Sequence, residues 1–235
     1  MTHGQQAEQL SLRVRLRDEA TFENFYGERN AAAAARVRAL VREPGPAGAV
    51  VCGDQGVGKS HLLHAACLEA EQAGAAALCL SLDEAAQLSP EALEGLEQFQ
   101  MVALDDLESL PRQRDWEEAL LHLYNRLQDG GHHLLVSSVE PPASQNLALP
   151  DLDSRLRSLP VIQLARPCDG ERLDLLRVRA ECRGLNLGEE VAAYILRRAP
   201  RDMGSLLEIL ESLDEASLQS QRRLTIPFVK SVMGW

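Results

Sequence analysis

Four short runs of consecutive apolar residues punctuate the first two thirds of the chain, at 49–52, 77–82, 101–104 and 134–138, with a weaker fifth at 161–164. Unbroken apolar runs of this length suit strands covered on both faces, because a half-exposed strand alternates apolar with polar positions. Between the first four runs, the stretches 60–73, 90–99 and 116–128 repeat apolar residues at helical spacing. Strand and helix patterns in alternation predict a mostly parallel sheet wrapped by helices, an α/β fold.

The texture changes after Pro167. Stretches 171–183, 189–198 and 205–217 all repeat Leu, Val or Ile at three-to-four-residue spacing, and Gly184 and Pro200 fall between them as helix stops. This predicts a small all-helical unit. Its last short helix starts near Thr225, whose hydroxyl can cap it while Pro227 sits in the first turn. Upstream, the Pro-Gly stretch 43–48 reads as a turn into the first strand, and the alanines 31–35 favour a helix before it. The expected organisation is a tail over 1–20, an α/β domain over 21–166 and a helical lid over 167–235.

Charge narrows the function classes. The chain has 24 Lys and Arg against 35 Asp and Glu, a net charge of −11, and no long basic run. Binding a duplex relies on cations that replace phosphate counterions, so a general nucleic-acid binder is disfavoured. The polar residues 1–6 carry neither the basic start nor the apolar stretch of a secretory signal, and no apolar segment reaches the roughly 18 to 20 residues that cross a bilayer. A cytoplasmic protein with no membrane partner is expected. Cys52, Cys67, Cys79, Cys168 and Cys182 make an odd set without a C-x-x-C pair, which reads as reduced thiols.

The most informative residues are Gly53-Asp54-Gln55-Gly56-Val57-Gly58-Lys59-Ser60, an unbroken G-x-x-x-x-G-K-S, or Walker A, pattern. A predicted strand precedes it and a predicted helix follows. Gly53, Gly56 and Gly58 allow backbone N–H groups to converge on a phosphate at a helix N-terminus, with Val57 contributing its own amide. Lys59 adds a point charge for the β and γ oxygens. Ser60 offers a hydroxyl to Mg²⁺, which takes oxygen ligands. A second carboxylate site for the metal is expected at the end of a neighbouring strand, and Asp105-Asp106 close the run 101–104 there. Asp105 would hold Mg²⁺ and Asp106 would polarise or position an attacking water. The third strand ends in Ser137-Ser138, and Ser138 is the candidate for reaching a γ-phosphate, although Ser at a strand end is also an ordinary turn residue. His61, His64 and Cys67 share one helix face, but structural zinc needs a fourth ligand and none is near in sequence. His132-His133 read as turn residues.

Taken together, the run 53–66 (GDQGVGKSHLLHAA), the Asp105-Asp106 pair and Thr21-Phe22-Glu23-Asn24-Phe25-Tyr26 resemble the AAA+ ATPases of the DnaA type, which begin with a similar T-F-x-N-F box. The resemblance covers nearly the whole chain. It implies a P-loop NTPase fold with a helical lid, bound ADP or ATP with Mg²⁺, and a nucleotide site that adds His61 and Phe25 to the loop residues. Phe22, Phe25 and Tyr26 would contact adenine, or else pin the N-terminal segment to the sheet.

Two further stretches resemble the Hda branch of that family, the regulatory inactivators of DnaA. Gln9-Leu10-Ser11-Leu12 resembles the branch's Q-L-S-L peptide, which docks on the DNA polymerase III sliding clamp (beta subunit) as an extended segment. The family peptide usually continues with Pro-Leu, whereas Arg13-Val14 follow here. Residues 224–230 resemble the branch's closing segment, so no helix-turn-helix DNA reader is expected and DNA would be met only indirectly, through the clamp. Residues 150–156 resemble the segment that presents an arginine finger to a neighbouring subunit's nucleotide, an effect worth roughly 10³ to 10⁵ in rate in GTPases. Arg155 is the first choice and Arg157 the fallback. In the lid, Arg201-Asp202-Met203-Gly204 match a stretch that usually carries a nucleotide-touching arginine; the aligned position is Gly204, and Arg201 either reaches the nucleotide or caps a helix.

The resemblance thus implies a clamp-tethered negative regulator of replication initiation that stimulates hydrolysis of DnaA-bound ATP, itself a weak ATPase at most, with a homodimer or larger homo-oligomer possible. The alternatives are a DnaA-like helicase-loading or clamp-loading ATPase and, in a different class, a small-molecule P-loop kinase.

Overall fold

The computed structural model describes residues 20–25, 27–200, 202–220 and 222–235. A first helix, α1 (Ala31–Val41), leads through the Pro-Gly turn into β1 (Gly48–Cys52). There follow α2 (Lys59–Gln72), β2 (Ala77–Ser81), a single turn α3 (Leu82–Ala85), β3 (Met101–Asp105), α4 (Arg114–Gly130), β4 (His133–Ser138), α5 (Pro150–Ser158) and β5 (Val161–Gln163). The lid comprises α6 (Asp169–Cys182), α7 (Glu189–Arg198), α8 (Met203–Ser220) and α9 (Ile226–Met233).

The five strands form one sheet in the order β2-β3-β4-β1-β5, and every pair is parallel. Cover on both faces explains the apolar runs of β1, β3 and β4, whereas β2, expected to be buried as well, lies at the sheet edge and is half-buried along its length. Val50, Val102, Leu104, Leu134 and Val136 point into one core with α4 and α5, while Ala49, Val51, Met101, Ala103 and Leu135 point into another with α1 and α2. All are 0 or 1% exposed, and each large apolar side chain so buried contributes about 2 kcal/mol relative to solvent exposure. A separate core, built on Leu176, Ile195, Leu206, Leu210, Leu213 and Val229, holds the lid together. Thr225 caps α9 by accepting the Phe228 N–H, and Pro227 lies in its first turn.

The strand order corrects one expectation. β4 lies between β1 and β3, so the two acids arrive one strand further from the loop than a neighbouring strand would bring them. A second correction concerns 90–99, which is two 3-10 turns, Pro90–Leu93 and Leu96–Gln98, rather than one helix. Gly95 separates them at φ 75°, a left-handed conformation that interrupts helical hydrogen bonding. The helix α5 is not announced by the apolar pattern; Leu152 and Leu156 alone pin it, both fully buried at i and i+4.

The chain leading into the lid, and the first turn of α6, are tied to the body by polar contacts. The buried Asn30 amide donates to the Ala165 carbonyl at 2.9 Å and accepts the Ala165 N–H at 2.8 Å. Glu171 of α6 accepts the Arg29 N–H, and Arg166 pairs with Asp54 of the phosphate loop. No helix among the described residues is long and apolar enough to cross a membrane.

Candidate functional site: the phosphate loop and its surroundings

Residues 53–60 link the carboxyl end of β1 to the start of α2. The Gly53 N–H donates to the Ser138 carbonyl at 3.1 Å, which fixes the loop's origin to β4. Gly58, the residue before α2, sits at φ 101°, and a Cβ there would stand 2.7 Å from Phe25 Cε2. Gly56 sits at φ 72°, and a Cβ there would stand 3.0 Å from the Met203 nitrogen at the start of α8. The loop is therefore hemmed in by the 21–25 segment on one side and the lid on the other, with no room for side chains at either glycine.

Lys59 is 6% exposed, and its ammonium donates to the Gly53 carbonyl at 2.9 Å and the Asp54 carbonyl at 3.2 Å. A lysine held at the mouth of its own loop is a fixed positive charge for an anion. Ser60 and His61 line a cavity of about 370 Å³ together with Gln55, Gly56, Gly58, Lys59 and Asp106. The 204 position opens onto the same cavity without a side chain, and a Cβ there would meet only Asp202 Oδ1, at 3.3 Å. Asp202 itself caps α8, accepting the Ser205 N–H at 2.7 Å, and this bond holds its carboxyl below the usual range.

Asp105 ends β3, buried, and accepts a short hydrogen bond from the Ser137 hydroxyl. Ser137 in turn accepts the Asp106 N–H at 2.8 Å. One strand-end serine thus orients both acids, which the order β3-β4 makes possible. Among the described residues Asp106 is the one non-glycine at positive φ, 61°, so the chain turns sharply to present it. Burial, then the adjacent Asp105 and Glu108 carboxylates, push its carboxyl above the ordinary range. The Ser138 hydroxyl is fully buried; it donates to the Glu140 carbonyl at 2.5 Å and lies 3.4 Å from Cys52 Sγ. Of the serine pair, Ser137 is the one in contact with the acids.

Ser60 and the acids at the end of β3 offer the oxygen ligands that Mg²⁺ takes, Asp106 being the acid that lines the cavity with Ser60, and the glycine cradle beside a buried Lys59 suits a polyphosphate. Among the described residues no group of three or more His, Cys, Asp or Glu is placed to hold a metal ion. The described cysteines are all free.

Phe25 lies against His61, ring centroids 5.5 Å apart. His61 Nε2 is 2.9 Å from the Thr21 carbonyl and Nδ1 is 3.2 Å from an Nη2 donor of Arg179, a lid residue that the sequence did not single out. Only one signal for Arg179 exists in the sequence, a charged residue on the apolar face of a predicted helix, and many surface arginines share it.

Some 50 residues of chain beyond Asp105 and Asp106, α5 carries the arginine pair. Glu117 of α4 is 1% exposed and accepts the Ala148 and Leu149 N–H groups at 3.0 and 2.6 Å, anchoring the start of α5. Arg157 is bonded to Asp153 at 2.7 Å and to the Ala143 carbonyl. Arg155 is exposed and its side chain has no bonded partner among the described residues. It does not line the cavities around the chain's own loop. Gln9, Leu10, Ser11, Leu12, Tyr26 and Arg201 lie outside the described residues.

Comparison with known proteins agrees with this architecture. Residues 16–161 match the family described as the bacterial DnaA ATPase domain, and residues 169–233 match the Hda lid domain. Among solved structures, domain III of the Thermotoga maritima replication initiation protein DnaA has 20% identity and a TM-score of 0.78, covering 92% of this chain and 96% of that one. The AMPPCP-bound DnaA from Aquifex aeolicus has 22% identity and a TM-score of 0.70, over 88% of this chain and 71% of its own. A Thermotoga maritima RuvB, a Holliday junction branch migration motor, has 14% identity and a TM-score of 0.67 over 92% of this chain and 71% of its own. With the bacterial DnaA ATPase-domain family matching well over half of its length and the Hda lid domain matching residues 169–233, the chain belongs to the DnaA-type AAA+ proteins.

Proposed function

We propose that this chain is a nucleotide-holding regulator of replication initiation that acts on the DnaA initiator and stimulates hydrolysis of DnaA-bound ATP through Arg155. Residues 21–166 would form the nucleotide domain and 167–235 its lid, with Gln9 to Leu12 as the tether to the sliding clamp.

For its own ADP or ATP, the chain supplies Lys59 and the loop amides of residues 56–60 as the phosphate grip, with Ser60 and Asp105 as the Mg²⁺ ligands. When bound, Mg²⁺ neutralises phosphate charge. Ser137 keeps Asp105 and Asp106 oriented. Phe25 and His61 flank the base side. Gly204 offers no cation to a third phosphate, which suits a nucleotide kept as a structural ligand more than one turned over. Asp106 lines the same cavity as Ser60, its carboxyl raised above the ordinary range by burial and the neighbouring carboxylates, and is the group offered to polarise or position a water.

The observation that carries the regulatory reading is the contrast between two arginines on one helix. Arg157 is tied to Asp153 and Ala143, whereas Arg155 faces outward from a helix anchored by Glu117, Leu152 and Leu156. An unpaired, always-charged guanidinium on a rigid support suits insertion into a partner's site, where it meets charge developing on a γ-phosphoryl group. The test is Arg155→Ala. The variant should keep nucleotide affinity and thermal stability yet lose stimulation of DnaA hydrolysis by about 10³-fold or more, measured as phosphate release from DnaA-ATP on clamp-loaded DNA. Full stimulation by Arg155→Ala would remove Arg155 from the role.

A further inference from the structure

The two ends of the cleft are differently open. The phosphate side has a cavity of about 370 Å³. The base side, enclosed by Asn24, Phe25, Gly58, His61, Arg179 and Met203, has about 60 Å³, against roughly 300 to 1,000 Å³ for pockets that take small ligands. A nucleobase therefore needs this end to widen, and the question is what holds it shut.

Arg179 of α6 is 5% exposed. Its Nη2 donates to His61 Nδ1 at 3.2 Å and to the Asn24 carbonyl at 3.4 Å. A guanidinium has no acceptor, so Nδ1 offers its lone pair and the ring proton sits on Nε2, which donates to the Thr21 carbonyl at 2.9 Å. One lid side chain thereby fixes the tautomer of His61 and ties α2 to the 21–25 segment at two points. Phe25 is adjacent to Asn24 in that segment. Its ring is pressed over Gly58 and tilted against His61, across the mouth of the small cavity.

We propose that Arg179 is a positioning residue that latches the base side: by holding His61 and the Asn24 carbonyl it keeps Phe25 over the cavity, so that a nucleobase enters and leaves only when α6 of the lid withdraws. This rests on the nucleotide-binding reading above and adds to it a named determinant of exchange. Arg179 itself does not line the phosphate-side cavity, so the latch predicts a split between two ligands.

The full chain is mixed with Mg²⁺ and the fluorescent analogue N-methylanthraniloyl-ADP in a stopped-flow instrument, and Mg-pyrophosphate affinity is measured separately by calorimetry. Arg179→Ala should raise both association and dissociation rates of the analogue at least tenfold while pyrophosphate affinity stays within twofold. Arg179→Lys, which keeps the charge but cannot donate to both acceptors from one planar group, should fall between wild type and alanine. If Arg179→Ala does not fold, His61→Phe removes the acceptor while keeping a ring and should speed exchange in the same way. Analogue rates within twofold of wild type in the folded variant would overturn the latch alone. A parallel loss of pyrophosphate and analogue binding would overturn it too, by giving Arg179 a general structural role. A wild-type chain that takes up neither ligand would sink the nucleotide reading together with the latch.

Discussion

The phosphate end and the base end of the cleft are made in opposite ways. The phosphate end is one stretch of chain, 53–60, whose glycines, lysine and serine are placed by a single strand-turn-helix unit. The base end is gathered from three places: the segment 21–25, His61 on α2 and Arg179 on α6, 118 residues from His61 in sequence. A contiguous loop is shaped mainly by local geometry, although the start of α8 abuts Gly56. A gathered end exists only while the lid is docked. The contrast assigns affinity to the first and exchange kinetics to the second.

The largest expected effect is on the phosphate end. Lys59→Ala removes a charge-assisted contact worth about 1.5 to 3 kcal/mol, so affinity for Mg-pyrophosphate and for ADP should fall together by about one to two orders of magnitude in calorimetry. Pyrophosphate binding that withstood the change would erase the division between the two ends.

Next comes an acid test of the base end. Burial first, opposed by the Thr21 hydrogen bond and reinforced by the Arg179 charge, pushes the His61 imidazole down from 6.5 to about 4. Between those values the unfolded chain takes up a proton at this position and the folded chain does not, so folded stability is lost as pH falls from 6.5 toward 4. At about 1.4 kcal/mol per pKa unit, the contribution is at most about 3 kcal/mol. Denaturant unfolding at pH 7 and pH 4.5 should show a smaller acid-induced loss in His61→Phe than in wild type. Equal losses would mean that His61 is not held neutral by its surroundings.

A smaller effect is expected where the ends meet. Gly58→Ala places a methyl group at φ 101°, 2.7 Å from Phe25, and strain of about 1 to 3 kcal/mol follows. For a chain of this size, at roughly 2 to 4 °C per kcal/mol, that lowers the melting temperature by roughly 2 to 12 °C. Because the glycine belongs to the loop and abuts Phe25, both pyrophosphate affinity and analogue exchange should change. An effect on only one would sharpen the boundary between the ends.

What was legible in the sequence follows the same line. The two-faced strands, the lid helices, the Thr225 cap and the phosphate loop are encoded within short windows, since periodicity, turn residues and caps act over a few positions. The break at Gly95 was misread because the surrounding apolar spacing also fits a helix, and a left-handed glycine is decided by where the chain must turn. The interposed β4, and with it the bridge from Ser137 to Asp105 and Asp106, could not be read at all, because strand order is set by how crossover helices pack and not by any one strand. The ion pair of Arg157 with Asp153 is an i,i+4 contact within one helix and follows from spacing, whereas its bond to the Ala143 carbonyl depends on packing.

The amino-acid order alone determined that an α/β body with a phosphate-gripping loop precedes a helical unit, since those features rest on local backbone preference and the burial of apolar runs. The tertiary structure alone decided which strand-end hydroxyl meets the acids and how Arg179 reaches across to His61. Each of these is a meeting of polar groups distant in the chain, and hydrogen bonds, being short and directional, form only after packing has brought their partners within about 3 Å.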